Sequence, residues 1–123
     1  MRLAVKPADE PLREPNVFLN NGKVKGYYDK DATSYQRIMI LPDSILSNNQ
    51  KEGLWMIKNL KELVRLDCLE EIANGYIVKQ PLYGTPSGTV AFSLGLDGPP
   101  YPNGYVEWKF ADGKNLKEGN RSL

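Results

Sequence analysis

The chain contains no histidine and only one cysteine, and these two gaps remove much of common catalytic chemistry. Without imidazole, neither a Ser-His-Asp nor a Cys-His arrangement can be built, and no zinc site with a histidine ligand. A lone thiol can form neither an internal disulfide nor a thiolate metal cage. Net charge is nearly absent too: 16 Lys and Arg stand against 15 Asp and Glu, leaving +1. No strong overall field therefore draws the chain to nucleic acid or an anionic membrane, although local basic patches remain open. No apolar run approaches the ~20 residues that span a bilayer. The first residues, Met1-Arg2-Leu3-Ala4-Val5-Lys6-Pro7, lack the hydrophobic core of a secretion signal. Cys68, between Leu66 and Leu69, reads as a buried thiol in a reducing compartment. These absences predict a cytoplasmic protein without membrane, cofactor, metal or catalytic group.

What is present fits one domain, since 123 residues support a single core. Residues 1–16 hold Pro7, Pro11 and Pro15 among alternating charges. They read as a proline-rich arm, either a strap or tether or a disordered tail. The domain proper is expected over 17–118, with a tail at 119–123. Asn20-Asn21-Gly22 separates Val17-Phe18-Leu19 from Lys23-Val24-Lys25-Gly26-Tyr27-Tyr28. Asn-Gly between β-prone runs marks a hairpin, because its turn positions accept positive φ. A third strand is expected over 35–41, ended by Pro42-Asp43.

The period then changes. Leu54, Ile57, Leu60, Leu63 and Val64 recur at helical spacing, which predicts an amphipathic helix from Gln50 to Leu66 with Asn48 or Asn49 as its cap. Lys51, Lys58, Lys61 and Arg65 lie mostly off that stripe, as a solvated face or as a row able to track phosphates. Asn74-Gly75 predicts a second hairpin with the same turn chemistry. Thr85-Pro86-Ser87 opens a short helix, Thr85 as N-cap and Pro86 at its first position, with Gly95 closing it. A last strand is expected from Tyr105 to Phe110. The class that results is α+β: an antiparallel meander and hairpins packed with one long and one short helix.

The order of these motifs resembles an uncharacterised domain family found at the C-terminus of GIY-YIG endonucleases and in other restriction-related bacterial proteins. The matching pieces are Gly26-Tyr27-Tyr28, Gly75-Tyr76, Thr85-Pro86-Ser87, Leu94-Gly95, Asn103-Gly104-Tyr105, Trp108-Lys109 and Asp112-Gly113-Lys114 with Leu116. They span about residues 17–118. The Pro-Ser helix and the Trp strand are more distantly similar to the RAMA domain, associated with restriction enzymes and adenine methylases and proposed to sense modified DNA. Three departures stand out. Gly88-Thr89 replaces the family's small Ala-Ala pair, the Pro-rich loop 98–102 expands a short link, and Leu41-Pro42-Asp43-Ser44 replaces a Gly-Ser ending. The resemblance includes no nuclease motif, so it implies no nuclease activity.

The resemblance implies a DNA-binding accessory module of a restriction or anti-phage system, one able to sense base modification. Its partners would be double-stranded DNA and a nuclease or methylase domain or subunit. The candidate contacts are Thr85 and Ser87 at a helix N-terminus for a phosphate, Lys109 and Lys114 for charge, and Tyr101 or Tyr105 for stacking on a base. The alternative role is a protein-interaction module docking a nuclease or other catalytic partner. Beside these stand plainer readings: Thr85 and Ser87 simply cap a helix, Asn103-Gly104 is a turn, and Trp108 fills the core.

Overall fold

A computed structural model describes residues 3–5, 12–47, 54–96 and 102–121. In chain order the elements are β1 (Ala4–Val5), β2 (Val17–Leu19), β3 (Val24–Tyr28), a 3₁₀ turn (Ser34–Gln36), β4 (Ile38–Ile40) and β5 (Ile45–Ser47). Helix α1 (Leu54–Arg65), β6 (Leu69–Ile72), β7 (Gly75–Val78) and β8 (Leu82–Gly84) follow. Helices α2 (Pro86–Leu94) and α3 (Gly104–Glu107), strand β9 (Lys109–Phe110) and helix α4 (Leu116–Arg121) are the last of the described elements. The fold is α+β, and every strand pair among the described residues is antiparallel. Six strands form one sheet in the order β1-β8-β4-β3-β2-β9, and three form another in the order β5-β7-β6.

The first hairpin forms where its turn residues direct it. Asn20, Asn21 and Gly22 all take positive φ, at 54°, 57° and 84°, which these residue types tolerate best. Leu19 then pairs with Val24, and Val17 with Gly26. The second hairpin differs from the expected turn chemistry. Ile72 pairs directly with Gly75, so Ala73-Asn74 is the loop and Gly75 is already in the strand. The expected strand 35–41 shortens, because Ser34–Gln36 forms a 3₁₀ turn before β4.

The last strand is also shorter than its β-prone residues suggest. Asn103 Oδ1 accepts from Tyr105 N at 3.0 Å, and the Asn103 carbonyl accepts from Val106 N and Glu107 N, both at 3.0 Å. This cap winds 104–107 into α3, overriding the β propensity of Tyr105 and Val106. Only Lys109 and Phe110 remain as strand.

Period-two alternation decides the core. Val17, Leu19, Val24, Tyr28, Ile38, Ile40 and Leu82 are buried on the inner face of the larger sheet, together with Trp108, which shows no exposed surface. Helix α2 packs beneath this face and is buried along Gly88–Ser93. The expected stripe of α1 keeps Leu60 and Leu63 in the core and shifts toward Met56, which flanks it in the sequence: Met56 and Leu60 are fully buried, Leu63 nearly so, and Ile57 and Val64 half-buried. Asn59, a polar residue on the buried side, explains the shift. Its Oδ1 accepts from Leu3 N at 2.8 Å and its Nδ2 donates to Leu3 O at 3.4 Å. A buried amide that pairs with backbone in this way is satisfied. Leu3 is 1% exposed and β1 borders β8, so Leu3–Val5, part of the expected proline-rich arm, belongs to the packed domain. At the other end, α4 continues past the expected limit of 118. The cap residues Asn48 and Asn49, and Pro7 and Pro11, lie outside the described residues.

Candidate nucleic-acid interface

The motif residues of the C-terminal third converge on one interlocked cluster. Thr85 Oγ1 accepts from Gly88 N at 2.9 Å, and Thr89 N donates to the Thr85 carbonyl at 2.9 Å. Pro86 has no N–H to offer. Few donors at the start of α2 are therefore left for an anion, and Thr85 acts as the helix cap, the plainer of its two expected roles. Ser87 Oγ is also engaged, accepting from Gly104 N at 3.1 Å. Behind them, Thr89 Oγ1 accepts from Trp108 Nε1 at 2.9 Å. The same hydroxyl donates to the Thr85 carbonyl at 2.9 Å, with the Pro86 carbonyl equally near. The buried indole N–H is thereby satisfied, as a buried tryptophan requires.

Glycines let these parts approach. A Cβ at Gly104 would collide with the backbone of Pro86 and Ser87, and one at Gly26 would sit 3.2 Å from the Trp108 ring. The Asp112-Gly113-Lys114 tail is likewise architectural. Gly113 turns at φ 88°, and Asn115 and Glu118 then exchange side-chain-to-amide bonds at 2.9 and 3.2 Å. That reciprocal pair is a capping box at the start of α4, and it drives Leu116 into the core.

The remaining candidates do not share one site. Tyr105 is half-buried, and its hydroxyl accepts from Arg37 Nη1 at 2.6 Å. Lys109 and Lys114 are both exposed. Lys109 bridges to Asn115, and Lys114 precedes that bridge outside any strand. Lys109 Nζ donates to the Val106 carbonyl at 2.6 Å. Tyr101 lies outside the described residues.

Lys109 instead belongs to a row that local sequence reasoning missed. Phe18 pairs with Lys109 on one side and with Lys25 on the other. By alternation all three project from the outer face, opposite the core. Two residues along β3, Tyr27 shares that face and pairs with Met39, which pairs with Tyr83. The Arg13 guanidinium lies 5.5 Å from the centre of the Tyr27 ring, a cation–π contact. The outer face thus interleaves the half-buried rings of Phe18 and Tyr27, with Tyr83 buried behind them, among exposed Arg13, Lys25 and Lys109. The alternation Lys25-Gly26-Tyr27 was legible in the sequence, but the pairing of β2 with β9 was not.

Among the described residues, no group of three or more His, Cys, Asp or Glu side chains is placed to hold a metal ion, and no helix is long and apolar enough to cross a membrane. Cys68 is buried, and burial, followed by the neighbouring Asp67 carboxylate, pushes its thiol pKa up. A raised pKa in the fold means that its contribution to stability is present below the unfolded-state value. It is lost as pH rises through the folded one. We therefore expect native Cys68 to react with a disulfide reagent at least tenfold more slowly at neutral pH than in denaturant. Equal rates would show that the thiol is open to solvent.

No family model, curated protein or solved structure matches the chain.

Proposed function

We propose that this chain is a non-catalytic recognition domain that binds DNA through the outer face of its larger sheet. The observation that carries this reading is the cross-strand row Lys109–Phe18–Lys25 beside Tyr27 and Arg13. Cations that meet phosphates and exposed rings that meet bases are the two components of sheet-based nucleic-acid binding. The order of motifs shared with domains beside GIY-YIG endonucleases, and more distantly with the RAMA domain, supports placing the role in a restriction or anti-phage system. There it would act next to a nuclease or methylase partner and respond to base modification.

The test is fluorescence anisotropy with unmodified and methylated DNA at two salt concentrations. Binding should weaken steeply with salt, and Lys109→Gln should flatten the log–log salt slope by about 1. A difference between the methylated and unmodified forms would support modification sensing. Absence of binding at low ionic strength would overturn the DNA reading and favour docking to a protein partner.

A further inference from the structure

The outer face also contains a cleft. It has a volume of about 230 Å³ and is lined by Arg13, Tyr27, Asp29, Gln36, Met39 and Tyr83. That volume is roughly eight waters' worth and lies below the usual range for drug-sized ligands. It suits one flat heterocycle and excludes a large cofactor. Met39 and Tyr83 are buried and form the apolar floor beneath half-buried Tyr27, so the ring face a flat ligand can stack on is that of Tyr27.

The polar groups narrow the ligand further. Asp29 carries a carboxylate that accepts hydrogen bonds and repels phosphate. One of its oxygens, Oδ1, accepts from Asp31 N at 3.0 Å, and the carboxylate has further acceptor capacity. Gln36, exposed on the 3₁₀ turn, offers both an acceptor and donors. A carboxylate and an amide beside aromatic rings match the edge of a base with an exocyclic amine, and they do not match the sugar-phosphate chain. In the free protein, Arg13 occupies the Tyr27 ring face from the solvent side, where a stacked base would lie. An entering base displaces it, and the guanidinium is then free to meet the adjoining phosphate.

We infer that this cleft seats one unpaired, amine-bearing base of a single-stranded nucleic acid whose backbone follows Lys25 and Lys109. The inference rests on the nucleic-acid reading above and specifies which form is bound. Strand is favoured over free nucleotide because Lys109 lies two strand spacings across and two residues along from Tyr27, roughly 12 Å between backbones. Lys25 and Lys109 stand on different β-strands along that path, and a nucleic-acid strand offers a phosphate to each where a free mononucleotide offers one in all.

The test uses the full chain with labelled single strands of dA, dC and dT, an abasic strand of equal length, a duplex, and free AMP as competitor. The dA and dC strands should bind about tenfold tighter than the dT and abasic strands, and tighter than the duplex. Gln36→Ala, on an exposed turn, and Tyr27→Leu should bring dA binding down toward the abasic level while keeping the salt slope. Thermal melting checks that both variants are folded. Salt-dependent binding in which abasic and dA strands are equal, or in which the duplex is preferred, would overturn the base cleft and leave the DNA reading standing. Saturation by AMP with strands no tighter would overturn the strand assignment. No binding by any strand or duplex at low salt would overturn both.

Discussion

Gly104→Ala should cost about 3 kcal/mol or more of folding stability, at or beyond the top of the usual range for overpacking. The reason is what the added methyl would meet. It would collide with the carbonyl group of Pro86 and with Ser87 N, which are backbone atoms. A side chain could swing to another rotamer, but these atoms are fixed by the first turn of α2 and by the Thr85 cap. Relief requires α3 to move away from α2. That movement breaks the bond from Gly104 N to Ser87 Oγ and draws Trp108 out of place. Urea denaturation would measure the loss, and the midpoint should fall with little change in slope. A variant within about 0.5 kcal/mol of the parent, the size of an ordinary surface change, would mean that the two backbones are not in contact.

Trp108→Ala should be comparably damaging, at about 3–5 kcal/mol, the range for emptying a large aromatic site in a core. The more discriminating experiment separates its packing from its hydrogen bond. Trp108→Phe keeps an aromatic ring but removes the N–H that Thr89 Oγ1 accepts. Thr89→Val keeps the volume but leaves a buried indole N–H without its partner, at about 1–3 kcal/mol. Residues joined by one bond should show coupling in a double-mutant cycle. The double variant should therefore lose less than the sum of the two single changes, by about 1 kcal/mol. Strict additivity would show that the indole N–H finds no energetic benefit from Thr89.

These two sites show how far the sequence could be read. Local rules served well wherever a few neighbouring residues decide the outcome. The Asn20-Asn21-Gly22 turn, the Thr85 cap and the left-handed Gly95, at φ 66°, all follow from chemistry within one turn of chain. They failed where a distant partner decides. Tyr105-Val106-Glu107 alternates like a strand yet is wound into a helix beside Pro86 and Ser87. Asn59 is polar and reads as solvent-facing until Leu3, at the far end of the chain, supplies its partner. Strands β5 and β8 are three residues each, too short for a periodic signal.

The candidate site divided in the same way. Thr85, Ser87 and Trp108 stood out because they are unusual in the sequence, and the structure spends their polar groups on holding α2, α3 and β9 together. Phe18 and Lys25 are unremarkable in sequence, Tyr27 stands out only as part of Gly26-Tyr27-Tyr28, and all three gain interest through their register with Lys109 and Met39. Alternation along β3 could have put Lys25 and Tyr27 on one face, but nothing local says which strand lies beside them.

The strand order has a consequence for how the molecule reaches its native state. Val17 pairs with Phe110 and Ala4 with Tyr83, so the larger sheet cannot be completed until almost the whole chain has been synthesised. Within that sheet, the β2–β3–β4 meander is the part that can assemble from its own neighbourhood. Until β8 and β9 arrive, both margins of that meander present unpaired amides and carbonyls to any passing strand. A topology dominated by such remote pairings folds in milliseconds to seconds, far more slowly than a helical bundle of similar length. The nascent chain is therefore exposed to association for longer than its modest size implies, and that window closes only when Lys109 and Phe110 dock against β2.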